Sequence, residues 1–268
     1  MNLEGKRVLV TGGSSGIGLA VARELLSKGA KGTISGRRPD VLANAVRELG
    51  GPGAQVASVA ADVATAHGRA VTLQHALEAM GGLDVLVNNA GGVRAGRLEK
   101  ISEAEIEAMV AVDLLAPILL TRAALPALRA SGDAMVVNVT SGIALVGAPF
   151  YATYAGVKAG LAHFGEALRR ELKGEGVHVL TAYPGGTDTP MMRSNRAGPE
   201  LGFSREPASA VADAIVAGME AQAFEVARGG EARAQMISLN RSNPAAVDER
   251  FRCLKAALEE AVKDHSAL

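Results

Sequence analysis

The chain has 268 residues, of which 48% are hydrophobic and 21% charged, with 28 basic side chains balanced by 28 acidic ones. That composition is globular rather than disordered. A neutral balance carries no electrostatic footprint for nucleic acid or an anionic membrane. The lone cysteine, Cys253, excludes an intramolecular disulfide and a cysteine-based metal cluster, and fits a reducing compartment.

Met1 leads directly into NLEGKRVLV, without the apolar stretch and small-residue cleavage site of a signal peptide. No run of about 18 apolar residues occurs, so the expectation is a cytoplasmic protein with no membrane span. RVLVT (7–11) reads as a buried strand, followed by a helix from about Ile17 to Lys28. KGTISG (31–36) is a second strand, weakened by Gly32. Pro39 suits the first turn of a helix reaching about Leu49, before the GGPG break at 50–53. QVASVAAD (55–62) is a third strand, a helix from about His67 to Met80 follows, and LDVLVNNAG (83–91) is the fourth strand.

Ser102 and Glu105 have capping-box spacing and open a long helix. AMVVNVTS (134–141) is the fifth strand, a helix spans about 152–173, and VHVLTAYPGG (177–186) is the sixth strand. Residues 187–206 are polar and punctuated by Gly and Pro, too long for a simple connector, and read as a lid. The chain is helical again from 207 to about Gln222, AFEVARGG (223–230) offers a last strand, and 231–264 is helical with a break near SNPAAVD. Uniformly apolar strands alternating with helices predict an α/β fold. Its parallel sheet is doubly wound and covered on both faces, a three-layer αβα arrangement forming one domain over 1–268. In such sheets ligands bind beyond the carboxyl ends of the strands.

Two local patterns carry chemistry. In VTGGSSGIGLA, Gly12, Gly16 and Gly18 stand between the first strand and the first helix. Glycines there permit a tight turn and a close approach of backbone N–H groups to a pyrophosphate, which a helix N-terminus favours. A plain strand-to-helix turn is the alternative reading, and the strand–loop–helix context favours nucleotide binding. The second pattern is the pair Tyr154 and Lys158, four residues apart and on one helix face, whereas Tyr151 has Ala155 at that spacing. A nearby ammonium favours tyrosinate and lowers a phenol pKa from about 10, which improves proton exchange with a carbonyl or alcohol. Ser141, 13 residues before Tyr154, can donate to the same oxygen, while Thr140 is expected to point into the sheet.

Thr11-Gly12-x-x-x-Gly16-x-Gly18, Asn88-Asn89-Ala90-Gly91, Ser141 with Tyr154-x-x-x-Lys158, and Pro184-Gly185 follow one another over about residues 5–195. In order and spacing they resemble the short-chain dehydrogenase/reductase family. Beyond about residue 200 the resemblance fades, and the family's glycine-rich ending is missing. The resemblance implies a Rossmann fold and a nicotinamide cofactor. It gives Tyr154 the acid/base role, Ser141 the positioning of the substrate oxygen, and Lys158 both the tuning of Tyr154 and the nicotinamide ribose. It implies cofactor contacts from Gly12, Ser14, Ser15, Gly16, Ile17, Gly18, Asn88, Ala90, Pro184, Gly185, Thr187 and Thr189. Asp62 and Val63 match the adenine-contacting pair, although Asp62 fits a strand-end cap equally well.

In SGRRP the family's acidic position at the end of the second strand falls on Gly36, and Arg37 and Arg38 follow. An acid there would pair with the ribose 2′-hydroxyl. Two arginines instead suit a 2′-phosphate, so NADP (NADPH) is favoured over NAD. Two solvated arginines at a helix start are the other reading, and Ser15 argues mildly for NAD, because many phosphate-preferring relatives are basic there. Asp113, in AVDLLAP, stands where the family usually has an asparagine that holds a relay water. A carboxylate there would weaken the effect of Lys158 on Tyr154.

The histidines show no metal-ligand spacing, and no metal site is expected. The charged amphipathic stretch DERFRCLKAALEEAVKDH suits packing or assembly. Residues 143–150 and the 187–206 segment, with Met191 and Met192, are expected to wall a mostly apolar substrate site, with Tyr151 lining it at most. The expected function is NADPH-dependent hydride transfer to or from a carbonyl/secondary alcohol, on a small to medium apolar ketone or aldehyde. The alternative is a catalytically weak or inactive NADP(H)-binding sensor on the same fold. The resemblance also implies a homodimer or homotetramer built through the helices at about 103–129 and 152–173.

Overall fold

The computed structural model describes residues 1–50 and 55–268, so most of the GGPG break lies outside the described residues. The first half runs β1 (Arg7–Thr11), α1 (Gly16–Ser27), β2 (Lys31–Gly36), α2 (Pro39–Glu48), β3 (Val56–Ala60), α3 (Ala66–Met80) and β4 (Val85–Asn88). The middle adds the short β5 (Val93–Arg94), α4 (Glu103–Val110), α5 (Ala116–Ser131), β6 (Ala134–Val139), α6 (Ala152–Glu171) and β7 (Val177–Tyr183). The last part holds β8 (Gly186–Asp188), β9 (Arg205–Pro207), α7 (Ala208–Glu220), β10 (Glu225–Ala227), α8 (Gly230–Ser242), α9 (Pro244–Val262) and β11 (Ser266–Ala267).

Seven strands form one parallel sheet in the order β10-β7-β6-β4-β1-β2-β3. Strand side chains alternate between faces, and the two faces of β1 show it. Val8 and Val10 pack with Leu25 of α1, Leu42 of α2 and Ile215 of α7. Leu9 packs on the opposite face with Ala76 of α3, Leu120 and Leu128 of α5 and Leu168 of α6. The result is the expected three-layer, doubly wound fold. Chain order reverses between β1 and β4, so the helices that follow these two strands cover opposite faces of the sheet and the carboxyl ends of β1 and β4 mark the switch point where such sheets bind ligands.

Ser102 caps α4 through the complete capping box with Glu105, and AFEVARGG supplies the edge strand β10. Between α4 and α5 the helix makes one π-turn over Ala111–Leu115, so residues 103–131 form a continuous helical rod. Length and composition alone would let this rod cross a membrane, which the sequence reading did not anticipate. In the fold its Leu120, Ala124 and Leu128 are core residues. The 187–206 segment is more ordered than a lid of loop: β8 pairs in parallel with β9, and 3-10 turns occupy Pro190–Ser194 and Pro199–Leu201.

At the far end of the sheet Arg7 joins β1 to the start of β4. Its guanidinium makes a two-pronged contact with Asp84, Nε to Oδ2 at 2.9 Å and Nη2 to Oδ1 at 2.7 Å, and the Arg7 N–H donates to Oδ2 at 2.8 Å. Burial pushes the Asp84 carboxyl up, but these bonds more than offset it and hold the group well below the usual carboxylate range. The stabilisation is therefore present above the unfolded pKa of about 4 and is lost as pH falls below it. Asp84→Asn is expected to lower unfolding free energy at pH 7 by about 2 kcal/mol. In urea titrations the gap to the parent should narrow as pH drops below about 4; a gap independent of pH would contradict this account.

Candidate active site

The loop between β1 and α1 lies at the crevice. Gly12 and Gly16 adopt φ of 64° and 55°, in the left-handed region that favours glycine. A side chain at Gly18 would collide with Asn89 and the Gly12 carbonyl, and a Cβ at Gly12 would lie 2.9 Å from the Ala90 Cα. The glycines thus let the loop after β1 nest against the loop after β4. Thr11 and Asn89 tie the two together. The Thr11 hydroxyl accepts from the N–H groups of Asn89 and Ala90 at 3.0 and 3.1 Å, and Asn89 Nδ2 donates to the Thr11 carbonyl at 3.0 Å. Ser15, the N-cap of α1, makes no side-chain cap, and no acidic residue stands in the first turn. The helix N-terminus is left with its positive end open to an anion. From the other side Thr189 closes on this loop, with a Cβ at Gly16 lying 3.1 Å from its Cγ2.

The remaining candidate contacts divide. Gly36 ends β2 beside Ser14, whose hydroxyl lies 3.0 Å from the position of a Cβ at 36, and Arg37 and Arg38 are exposed. Glycine rather than a carboxylate therefore ends β2. Thr187 is buried, with its hydroxyl donating to the Gly185 carbonyl, and Pro184 accepts from the Gly142 N–H at 2.7 Å. Asp62 acts as a turn cap at the entry to α3, its Oδ1 accepting from the Ala64 N–H at 3.0 Å, and Val63 is buried. Any cofactor contact of Asn88 is left to its backbone. Its side chain turns into the core, donating to Asn138 Oδ1 at 2.9 Å and Thr121 Oγ1 at 3.0 Å, so it offers a ligand no side-chain contact.

Ser141, Tyr154 and Lys158 come together at the carboxyl edge of β6. Thr140 donates into the sheet to the Ala182 carbonyl at 2.6 Å, as strand alternation demands, and leaves Ser141 on the crevice side. Ser141 acts on the Tyr154 phenol in the direction that favours ionisation. Lys158 Nζ lies 5.7 Å from the Tyr154 ring centroid and 3.3 Å from the Val139 carbonyl. It also makes a contact that spacing alone does not reveal: Asp113, completely buried, holds Nζ at 2.9 Å. The π-turn at 111–115 carries Asp113 toward the site, and its carboxylate accepts from the Gly92 N–H at 3.2 Å.

The electrostatic outcome corrects the expected direction for Tyr154. Burial pushes its phenol up, Lys158 and Ser141 pull down, the Asp113 carboxylate pushes up, and the net shift is upward. Lys158 is also held above its ordinary value: burial opposes the ammonium, but Asp113 and Tyr154 outweigh it.

Tyr151 is a packing residue rather than a pocket wall. It is 4% exposed, accepts from Asn195 Nδ2 at 2.9 Å, and its ring meets Phe203 at 6.1 Å and His265 at 6.0 Å between centroids. With Phe150, Leu201, Leu258 and Val262 it forms a third core beneath the site. The charged C-terminal helix therefore packs rather than floats, and Arg97 holds it through Glu259, Nη2 to Oε2 at 2.6 Å. Beyond it β11 pairs antiparallel with β5, the segment directly after Asn88–Gly92, and brings Leu268 against Gly92. Sequence reasoning missed this closure because a two-residue strand has no periodicity to detect.

The short chain dehydrogenase profile matches residues 6–200. The ketoacyl reductase HetN of Nostoc sp. is 32% identical over 93% of this chain and 89% of its own length. The 3-dehydrosphinganine reductase TSC10B of Arabidopsis thaliana is 37% identical over 69% of this chain and 56% of its own length. A short chain dehydrogenase of Burkholderia cenocepacia, solved in complex with NADP, superposes with a TM-score of 0.76 at 32% identity, covering 85% of this chain and 96% of that one. A 3-ketoacyl-(acyl-carrier-protein) reductase of Brucella melitensis, complexed with NADH, gives 0.79 at 25% identity over 85% and 98% of the two chains. The chain belongs to the short chain dehydrogenase family.

Proposed function

We propose that the protein is an NADPH-dependent oxidoreductase acting on a carbonyl/secondary alcohol pair, with a small to medium ketone or aldehyde as the substrate. The observation that carries this reading is the meeting of Ser141, Tyr154 and Lys158 beside the glycine loop at the sheet's switch point. The Gly12–Gly18 loop, with its open helix end, fits a pyrophosphate, and Gly36 with exposed Arg37 and Arg38 fits a 2′-phosphate better than a free 2′-hydroxyl. The names of HetN and TSC10B, both ketone reductases, agree in reaction type.

The nicotinamide supplies or accepts the hydride when bound. Tyr154 gives its phenolic proton to the carbonyl oxygen in reduction and takes it back in oxidation. Ser141 holds that oxygen by a hydrogen bond that strengthens as charge develops on it. Lys158 stabilises the tyrosinate left behind, and Asp113 keeps the ammonium buried and fixed. Ile143, Ala148, Met191 and Phe203, all partly buried, give the substrate side an apolar wall. Exposed Val110 and Leu115 on the α4–α5 rod support assembly through that face into a homodimer or homotetramer.

The test is NADPH absorbance against a panel of ketones and aldehydes, run in parallel with NADH. Tyr154→Phe is expected to cut turnover by about 10²–10⁴-fold while leaving NADPH binding by fluorescence unchanged; full activity in that variant would refute the mechanism. Cofactor binding with no substrate consumed would favour the sensor reading, which the direct Asp113–Lys158 pair keeps in view. Arg37→Ala with Arg38→Ala should raise the KM for NADPH about tenfold and leave that for NADH alone, on the order of one charge-assisted phosphate contact. Because Asp113 pushes the Tyr154 phenol up, Asp113→Asn should move the alkaline limb of the reduction profile, where the proton donor is lost, to lower pH. An alkaline limb that stays in place would remove Asp113 from the titration of Tyr154.

A further inference from the structure

The turn between β10 and α8 aims one cation at the site. Gly229 and Gly230 have φ of 108° and 57°, a bend that favours glycine, and the first turn of α8 that follows brings Arg233 to Gly142. The Arg233 guanidinium lies over Gly142: a Cβ built on that glycine would fall 2.5 Å from Nη1 and 2.7 Å from Cζ. A Cβ on Gly229 would fall 2.9 Å from the Arg233 Cβ. Two glycines thus make the room this side chain occupies, and a larger residue at either position would drive it out.

What Arg233 lacks is an acid. Its neighbours in sequence and space have partners. Arg228 meets Glu206 through Nε to Oε2 at 3.1 Å, Arg205 donates to the Asn195 carbonyl at 2.6 Å, and Glu231 is engaged by Gln235. Among the described residues the Arg233 guanidinium has neither an ion pair nor a hydrogen bond, although the residue is only partly exposed, and burial lowers its pKa. A partly desolvated guanidinium with no counter-charge is open to an anion supplied from outside the chain. The fork of a guanidinium matches the two oxygens of a carboxylate.

We propose that Arg233 is a specificity-determining residue that binds a carboxylate carried by the carbonyl substrate, so that the preferred substrate is a keto acid or hydroxy acid with an apolar body. Gly142 directly follows Ser141 in the chain, and on this proposal the carboxylate and the carbonyl belong to one short molecule. The inference rests on the reductase reading and refines it. The Arg228–Glu206 contact, which ties the approach to α8 to β9, keeps the cation in place.

Two measurements test it. In calorimetry, pentanoate and pentanamide have the same shape and differ in charge. Titrated into protein saturated with NADP, pentanoate should bind at least about tenfold more tightly than pentanamide. The preference should vanish in Arg233→Met and return in part in Arg233→Lys. In turnover assays, Arg233→Met should raise the KM for a keto acid about 30-fold and leave kcat and the KM for the matching methyl ester within about threefold. An equal loss on acid and ester, or a raised KM for NADPH with the acid unaffected, would overturn the proposal. So would a pentanoate preference that survives in Arg233→Met. If pentanoate discriminates but no carbonyl compound is consumed, the anion site stands and the reductase reading fails.

Discussion

A buried ammonium has to be neutralised within the protein, and much of the site's construction follows from that requirement at Lys158. The residue is 4% exposed and pairs with Asp113, which is completely buried. Holding this pair draws in four parts of the fold. The π-turn at 111–115 carries the carboxylate, α6 presents the lysine, β6 lends the Val139 carbonyl, and the loop after β4 lends the Gly92 N–H. Gly91 has to be glycine in the same place, because a Cβ there would fall 2.5 Å from Asp113 Oδ1. An ion pair of this kind contributes little net stability against an apolar equivalent, whereas losing one member strands a charge. Its retention is explained by position: it fixes a cation beside the Tyr154 ring.

The opposite wall of the site is built by the end of the chain. Tyr151, one helical turn before Tyr154, is the hub of a core that gathers Asn195 and Phe203 from the segment before α7 and His265 from the C-terminus. Burial, with Arg205 and Arg94 nearby, lowers the His265 pKa to about 4, so this imidazole is neutral and packs as an aromatic. Through it β11 is locked to β5, with the Ala95 N–H donating to the His265 carbonyl at 2.9 Å. Tyr154 and Tyr151 therefore lie one helical turn apart with different surroundings: one meets Lys158 and Ser141 and the other anchors the elements that enclose the crevice.

What could be read from the sequence was what depends on local spacing. The four-residue interval between Tyr154 and Lys158, the glycines after β1 and the Ser102–Glu105 box each declare themselves within a single turn or loop. The different duties of the adjacent asparagines were not legible, because only the phase of β4 decides that the Asn88 side chain turns into the core while Asn89 reaches the glycine loop. Arg233 carried no signal at all. Nothing in the α8 sequence distinguishes it from Arg241 on the same helix, and its place over Gly142 exists only after the Gly229–Gly230 bend. The tail's role was likewise hidden, since the family pattern ends near residue 200 while the chain continues to enclose the site.

The direction of the Tyr154 shift connects these features to chemistry. An isolated Tyr–Lys pair on a helix would favour the tyrosinate. Here burial and the Asp113 carboxylate outweigh the ammonium, and the phenol keeps its proton at neutral pH. A phenol is protonated at neutral pH with or without this shift, and the raised pKa makes it a weaker acid and its tyrosinate a stronger base. The reverse reaction must first remove a proton from a site whose charges hold it. The carboxylate that secures Lys158 thus offsets part of the pull of the ammonium on Tyr154, and burial, Lys158, Asp113 and Ser141 together set the proton affinity of the phenol.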